Sequence, residues 1–251
     1  MNIVNPGDVF LITGATGAIG FEIAAQAATA GAVVAVHGSR AESVAAAIER
    51  LQARVKGATL IAAPADFTKE GEIEAMVEKV VAVAGRLDAV IHCGITGAPG
   101  VTGPFVKTNS ANFAQHAALV LGTIQRLSFA ALPHLSKQGG TIISFASDAG
   151  RFGSPRQALI GASFGGIMSF VRNLALEVSR NGVRVHCISP SFVENTPAFE
   201  MHAARADAAR ERAGLGLPSP ADIAPMALFL CGPGATKITG QVISVNGGLN
   251  A

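Results

Sequence analysis

The chain of 251 residues contains no tyrosine and no tryptophan. No chemistry performed here can use a phenol as its acid or base. Cysteine is scarce: Cys93, Cys187 and Cys231 are an odd, scattered set without CxxC spacing. That excludes a disulfide framework or a cysteine-based zinc site, and the three thiols read as small buried apolar groups. Charge is thin as well, at 14% of residues with a formal net charge of +2. Such a balance leaves no electrostatic footprint for nucleic acid. The first residues lack a basic stretch followed by an apolar one, so no signal peptide is read. No apolar run reaches the roughly 20 residues that span a bilayer. The expectation is a soluble cytoplasmic protein with no membrane partner. No carboxylate pair or histidine cluster has metal-ligand spacing, so no metal is expected.

What the chain does have is apolar bulk, at 49% of residues, and 29 glycines. That composition excludes disorder, and the absence of any internal period excludes repeat architectures. A length near 250 residues suits one α/β domain, and no composition break divides residues 1–251. Short β-type runs alternate with helical patterns. Strands are read at Val9–Thr13, Val33–His37, Leu60–Ala63, Ala89–Cys93, Thr141–Phe145, Val183–Ile188 and Gln241–Val245. Helices are read at Phe21–Ala30, Ala41–Val55, Glu70–Val83, Asn112–Leu135, Gln157–Arg180 and Ala221–Leu230. This alternation implies a doubly wound α/β fold, a parallel sheet of about seven strands covered by helices on both faces. Residues 190–220 are the least regular stretch and read as a lid over a site, with a polar helix around Ala203–Ala213.

The turn Thr13-Gly14-Ala15-Thr16-Gly17-Ala18-Ile19-Gly20 follows the first strand and opens the first helix. Glycine there permits positive φ and close backbone approach, and a helix N-terminus offers free N–H groups to a pyrophosphate. A strand before it and a helix after it make this a dinucleotide signature. The second strand ends in His37-Gly38-Ser39-Arg40, without the carboxylate that would meet a ribose hydroxyl. Ser39 and Arg40 suit a 2′-phosphate instead, although Arg40 also reads as a solvated charge. Asp66, after the third strand, suits an adenine amine or a turn cap.

These residues resemble the short-chain dehydrogenase/reductase family over Val9–Leu249. The TGxxGxxG turn, Asp66, Ala131-Leu132-Pro133-His134-Leu135, Ile142–Ser147, Val183–Pro190 and Ile238–Gly248 are each similar to a family motif. The resemblance implies a Rossmann-type fold and hydride transfer between a nicotinamide and a carbonyl or alcohol. It implies cofactor contacts at Gly14, Thr16, Gly17, Ile19, Gly20, Ser39, Arg40, Asp66, Phe67, Cys93 and Gly94. NADP is favoured over NAD, with weak or absent binding left open. It implies a small-molecule substrate, and a homo-tetramer or dimer built on Asn112–Leu135, Gln157–Arg180 and the last strand. Gly161, Gly165 and Gly166 would permit close helix contact there.

The family site is an Asn–Ser–Tyr–Lys set, and only the serine is matched, by Ser147. The positions of the tyrosine, lysine and asparagine hold Ile160, Phe164 and Val120. None of these can exchange a proton. Ile160 and Phe164, four apart on one helix, share a face, and the expectation is a reaction cavity partly filled by apolar side chains. The family's Asn-Asn-Ala-Gly reads His92-Cys93-Gly94-Ile95, and its Pro-Gly reads Pro190-Ser191. Both changes crowd the nicotinamide end, whereas the adenosine end is kept. Asp148 and Arg151, next to Ser147, read as ligand contacts or as solvated charges, and His116 as a residue that points toward the pocket or fills the core. Three readings follow. One is a dinucleotide-binding protein whose redox chemistry is lost. Another is an NADP(H)-dependent oxidoreductase with water or His92 as proton donor. The third is a non-redox lyase or isomerase using Ser147 and a histidine.

Overall fold

The computed structural model describes residues 3–94, 97–200 and 206–250. Seven strands form one sheet: β1 (Val9–Thr13), β2 (Val33–Val36), β3 (Leu60–Ala62), β4 (Ala89–His92), β5 (Gly140–Phe145), β6 (Val183–Ser189) and β7 (Val242–Ser244). All pairings are parallel, in the order β3-β2-β1-β4-β5-β6-β7. The order reverses between β1 and β4, and in such sheets ligands bind outside the carboxyl ends of the strands at that point.

The helices are α1 (Ala18–Thr29), α2 (Ala41–Arg54), α3 (Glu72–Ala84), α4 (Phe113–Ala117), α5 (Thr123–Leu135), α6 (Ala158–Val178), α7 (Pro197–Glu200), α8 (Ala206–Arg212) and α9 (Pro220–Cys231). The alternation of side chains along β1 decides which core each residue joins. Phe10 and Ile12 pack with Ile23, Ala27 and Leu228 on the α1 and α9 face. Val9 and Leu11 pack with Val77, Ile124 and Leu127 on the α3 and α5 face. With helices on both faces, all of β1 is buried, and each large residue such as Leu11 contributes about 2 kcal/mol.

The expected helix over Asn112–Leu135 is not continuous. It begins at Phe113, and Ala118–Gly122 widens into a π-helical segment before α5 resumes. Such bulges re-aim side chains. Here Val120 enters the core with Ile124 and Ile167, while Leu121 meets Gly166 of α6. A Cβ on Gly166 would stand 3.0 Å from Leu121 Cδ2. The other glycines of α6 serve contacts within the chain. A Cβ on Gly161 would lie 2.7 Å from the Ala149 carbonyl oxygen, and one on Gly150 would lie 2.7 Å from the Gly165 nitrogen. Helix α6 is thereby pressed onto the Asp148–Gly150 turn. The stretch Ala158–Asn181 is long and apolar enough to cross a membrane, with mean hydropathy 1.4 over its most apolar window. That departs from the sequence expectation of no such run. In this fold Ile167, Val171, Leu174 and Val178 lie buried on the sheet.

Candidate functional site

The turn at the switch point is built against its own neighbours. Gly14 has φ +71°, and a Cβ on it would lie 2.6 Å from Gly94 Cα. A Cβ on Gly20 would lie 2.3 Å from the Gly14 carbonyl oxygen. Gly14, Gly20 and Gly94 are therefore required for the end of β1 to close on the end of β4. Gly17 is different. It is exposed, its φ is −89°, and it caps α1 without a side-chain hydrogen bond. The first N–H groups of α1 consequently have no capping side chain, and the positive end of the helix faces outward. This fits an anionic ligand such as a pyrophosphate.

His37 braces the turn from β2. The Gly14 N–H donates to His37 Nδ1 at 3.1 Å, so the ring carries its proton on Nε2, which donates to the Ala65 carbonyl at 3.1 Å. Phe67 stacks on this ring, with centroids 4.3 Å apart and planes 15° apart. Burial lowers the His37 pKa to about 4. A Cβ on Gly38 would strike Thr16 Cγ2 at 2.6 Å, which binds the second strand's end to the same turn. Ser39 and Arg40 are exposed at the start of α2, and Arg40 makes no ion pair among the described residues. Asp66 Oδ1 accepts from the Thr68 N–H at 3.0 Å and from Thr68 Oγ1 at 2.7 Å, which lowers its pKa. Asp66 thus caps its turn, while Oδ2 has no hydrogen bond among the described residues.

Beyond the turn, toward β5 and β6, lies a cleft of about 820 Å³. Its floor carries Ile19, Cys93, Ser147 and Pro190-Ser191, and α6 adds Ile160 and Phe164. The segment after β6 adds Phe192, Val193, Phe199 and Arg212, and the C-terminal segment adds Leu249 and Asn250. Ile160 and Phe164 therefore line the same cleft as Ser147, as the family resemblance implies. They form part of its wall. Val120 does not line it, because the π segment buries that side chain in the core.

Ser147 caps the Asp148–Gly150 turn, its Oγ accepting the Ala149 N–H at 3.3 Å. Asp148 is neither a ligand contact nor solvated. It is 2% exposed, and its carboxylate accepts from Ser189 Oγ at 2.9 Å, Ser244 Oγ at 2.8 Å, Asn246 Nδ2 at 2.6 Å and Asn250 Nδ2 at 3.3 Å. The ends of β5, β6 and β7 and the C-terminal segment meet on this one group. Arg151 donates to Ser244 Oγ at 2.5 Å, extending the network.

His92 does not fit the role of proton donor. It is fully buried, its Nδ1 lies 2.7 Å from Thr13 Oγ1, and burial lowers its pKa to about 3. It is not among the residues lining the cleft. Cys93 does line it, but burial raises its thiol pKa far above neutrality. His116 is buried against Gly97, outside the lining, with both ring nitrogens unpartnered. Burial lowers its pKa. Ile95 and the lid residues 201–205 lie outside the described residues. Sequence reasoning missed three contributors: His37, the Asp148 hub and Arg212. Asp148 carried the one available signal, an acidic residue directly after a buried strand.

A family model described as enoyl-(acyl carrier protein) reductase matches residues 14–250. Nodulation protein G of Rhizobium sp. (strain N33) is 30% identical over 246 residues, covering 95% of each chain. The 3-oxoacyl-(acyl-carrier-protein) reductase of Chlamydia muridarum is 30% identical over 256 residues, covering 99% of this chain and all (100%) of that one. Among solved structures, a 7α-hydroxysteroid dehydrogenase complexed with NADH and 7-oxo-glycochenodeoxycholic acid superimposes with TM-score 0.89. It is 29% identical, over 98% of this chain and 96% of that one. By the extent of these matches on both chains, this protein belongs to the short-chain dehydrogenase/reductase family.

Proposed function

We propose that this protein binds a nicotinamide dinucleotide at the switch point and a small molecule in the cleft, and has lost the proton transfer that accompanies hydride transfer in its relatives. One observation carries the reading. Among the described residues lining the cleft, the only ionisable side chains are Cys93 and Arg212. The thiol is held protonated by burial, and a guanidinium does not deprotonate in proteins. General acid–base catalysis needs a group that exchanges a proton near the working pH, and Ile160 and Phe164 offer none beside Ser147. The protein on this reading is a sensor, partner subunit or scaffold of oxidoreductase descent.

The cofactor half is supported by the residues themselves. The N–H groups of Ala18 and Ile19 would hold the pyrophosphate, and Asp66 Oδ2 would take the adenine amine. Ser39 and Arg40, which makes no ion pair among the described residues, suit a 2′-phosphate, which favours NADP over NAD. A nicotinamide bound there would supply hydride; the chain's own part would be limited to orienting a substrate oxygen at Ser147. A second reading keeps the redox activity with a solvent proton, and the open cleft favours it. A serine–histidine mechanism has less support, since no described histidine lines the cleft. Phe129 on α5 and Leu176 on α6 are 80% and 77% exposed, which supports a dimer or tetramer built on those helices.

The test is to titrate the protein with NADPH and NADH by calorimetry, then follow NADPH oxidation with a panel of ketones and aldehydes. Binding without turnover is the expected result. Turnover at rates ordinary for enzymes, about 1 per second or more, would overturn the loss of chemistry.

A further inference from the structure

Arg210 and Arg212 lie two residues apart on α8 and are committed differently. Arg210 donates to Glu194 Oε1 at 2.8 Å and to Asp207 Oδ1 at 3.0 Å, and its guanidinium lies 5.1 Å over the Phe199 ring. Its charge is neutralised. Arg212 has no carboxylate within ion-pair distance among the described residues. Its one hydrogen bond there is a long one, from Nη2 to the Leu249 carbonyl at 3.4 Å. Arg212 is also the only cation among the described residues lining the cleft, whose walls are otherwise apolar or carry neutral polar groups.

A guanidinium is a planar fork that matches a carboxylate with two parallel hydrogen bonds. The volume suits a body of drug-like size. We propose that the cleft takes an apolar molecule ending in a carboxylate, its hydrocarbon body lying along Phe145, Ile160, Phe164 and Phe192 and its carboxylate held by Arg212. This rests on the reading of the cleft as the small-molecule site and names the chemical class admitted there.

The test compares decanoate with decanol, equal in chain length and different in charge, by calorimetry on the full-length protein saturated with NADPH. The expected result is tighter binding of decanoate, lost by about tenfold in Arg212→Gln and partly kept in Arg212→Lys, with decanol unchanged throughout. Arg212 is exposed, so these variants should fold as the parent does. Raising the salt concentration should weaken decanoate and leave decanol unaffected. Equal affinity for the two probes, or a preference that survives Arg212→Gln, would overturn the proposal while leaving the dinucleotide reading intact. Failure of both probes to bind, with NADPH still bound, would also overturn it. Failure of NADPH itself to bind would instead sink the reading beneath it.

Discussion

The backbone N–H of Gly14 and the Nδ1 of His37 share a 3.1 Å hydrogen bond that joins the glycine turn to the end of β2. It exists only while the imidazole is neutral, because a protonated Nδ1 is a donor facing another donor. The folded pKa of about 4 lies below the ordinary value of 6.5. The unfolded chain therefore takes up a proton that the native state refuses. This stability is complete above pH 6.5 and is lost as the pH falls toward 4, amounting to about 3 kcal/mol for this one group. Urea unfolding at pH 7 and at pH 5 should show the loss, and His37→Gln should reduce the pH dependence, the remainder coming from His92, His116 and His186, whose pKa values burial also lowers. An unchanged slope in that variant would refute the role.

Asp148 joins strand ends to a segment almost a hundred residues away through Asn246 and Asn250. Asp148→Ala would strand those donors together with Ser189 and Ser244 and should cost about 3 kcal/mol. Asp148→Asn, which keeps one acceptor, should cost about half as much. Since Leu249 and Asn250 line the cleft, the alanine variant should also expose the C-terminal segment to carboxypeptidase. Chemical denaturation checks the first expectation and intact-mass analysis after digestion checks the second. A stability loss below about 0.5 kcal/mol would count against the hub.

Gly14 and Gly17 belong to one motif and should respond differently. Gly14→Ala meets both a positive φ and a 2.6 Å contact with Gly94, so it should destabilise by about 1–3 kcal/mol. Gly17→Ala has only a 3.4 Å neighbour in Gly14's carbonyl oxygen and should change stability by less than about 0.5 kcal/mol. Its methyl group would nevertheless stand where a pyrophosphate approaches, so NADPH affinity should fall. Thermal melts and calorimetry separate the two effects. Equal destabilisation by both substitutions would contradict this division.

The double variant Ile160→Tyr with Phe164→Lys places a phenol and an ammonium beside Ser147 in a cleft that is already open. NADPH-dependent ketone reduction should rise about a hundredfold above the parent protein, the range of acid–base contributions. If the variant folds, binds NADPH and still reduces nothing, the obstacle is at the nicotinamide floor, where Ser191 stands for the family's glycine.

The sequence by itself determined the layered sheet and the glycine turn, and its resemblance to the family set Ile160 and Phe164 at the tyrosine and lysine positions. The sheet and the turn rest on short-range regularity, namely period-two and period-3.6 patterning and a strand–glycine–helix junction, whereas the two positions rest on the family resemblance. Only the tertiary structure decided the rest. Val120 lies in the core, within a π-helical segment, and does not line the cleft. His92 sat at a strand end like a ligand-binding residue, yet the β1–β4 pairing buried it against Thr13. Asp148 became a hub because four side chains from distant segments converge on its oxygens, and among the described residues Arg210 is ion-paired while Arg212 is not. Burial, hydrogen-bond partners and unpaired charge are relations between segments far apart in the chain, and they exist only once the fold brings those segments together.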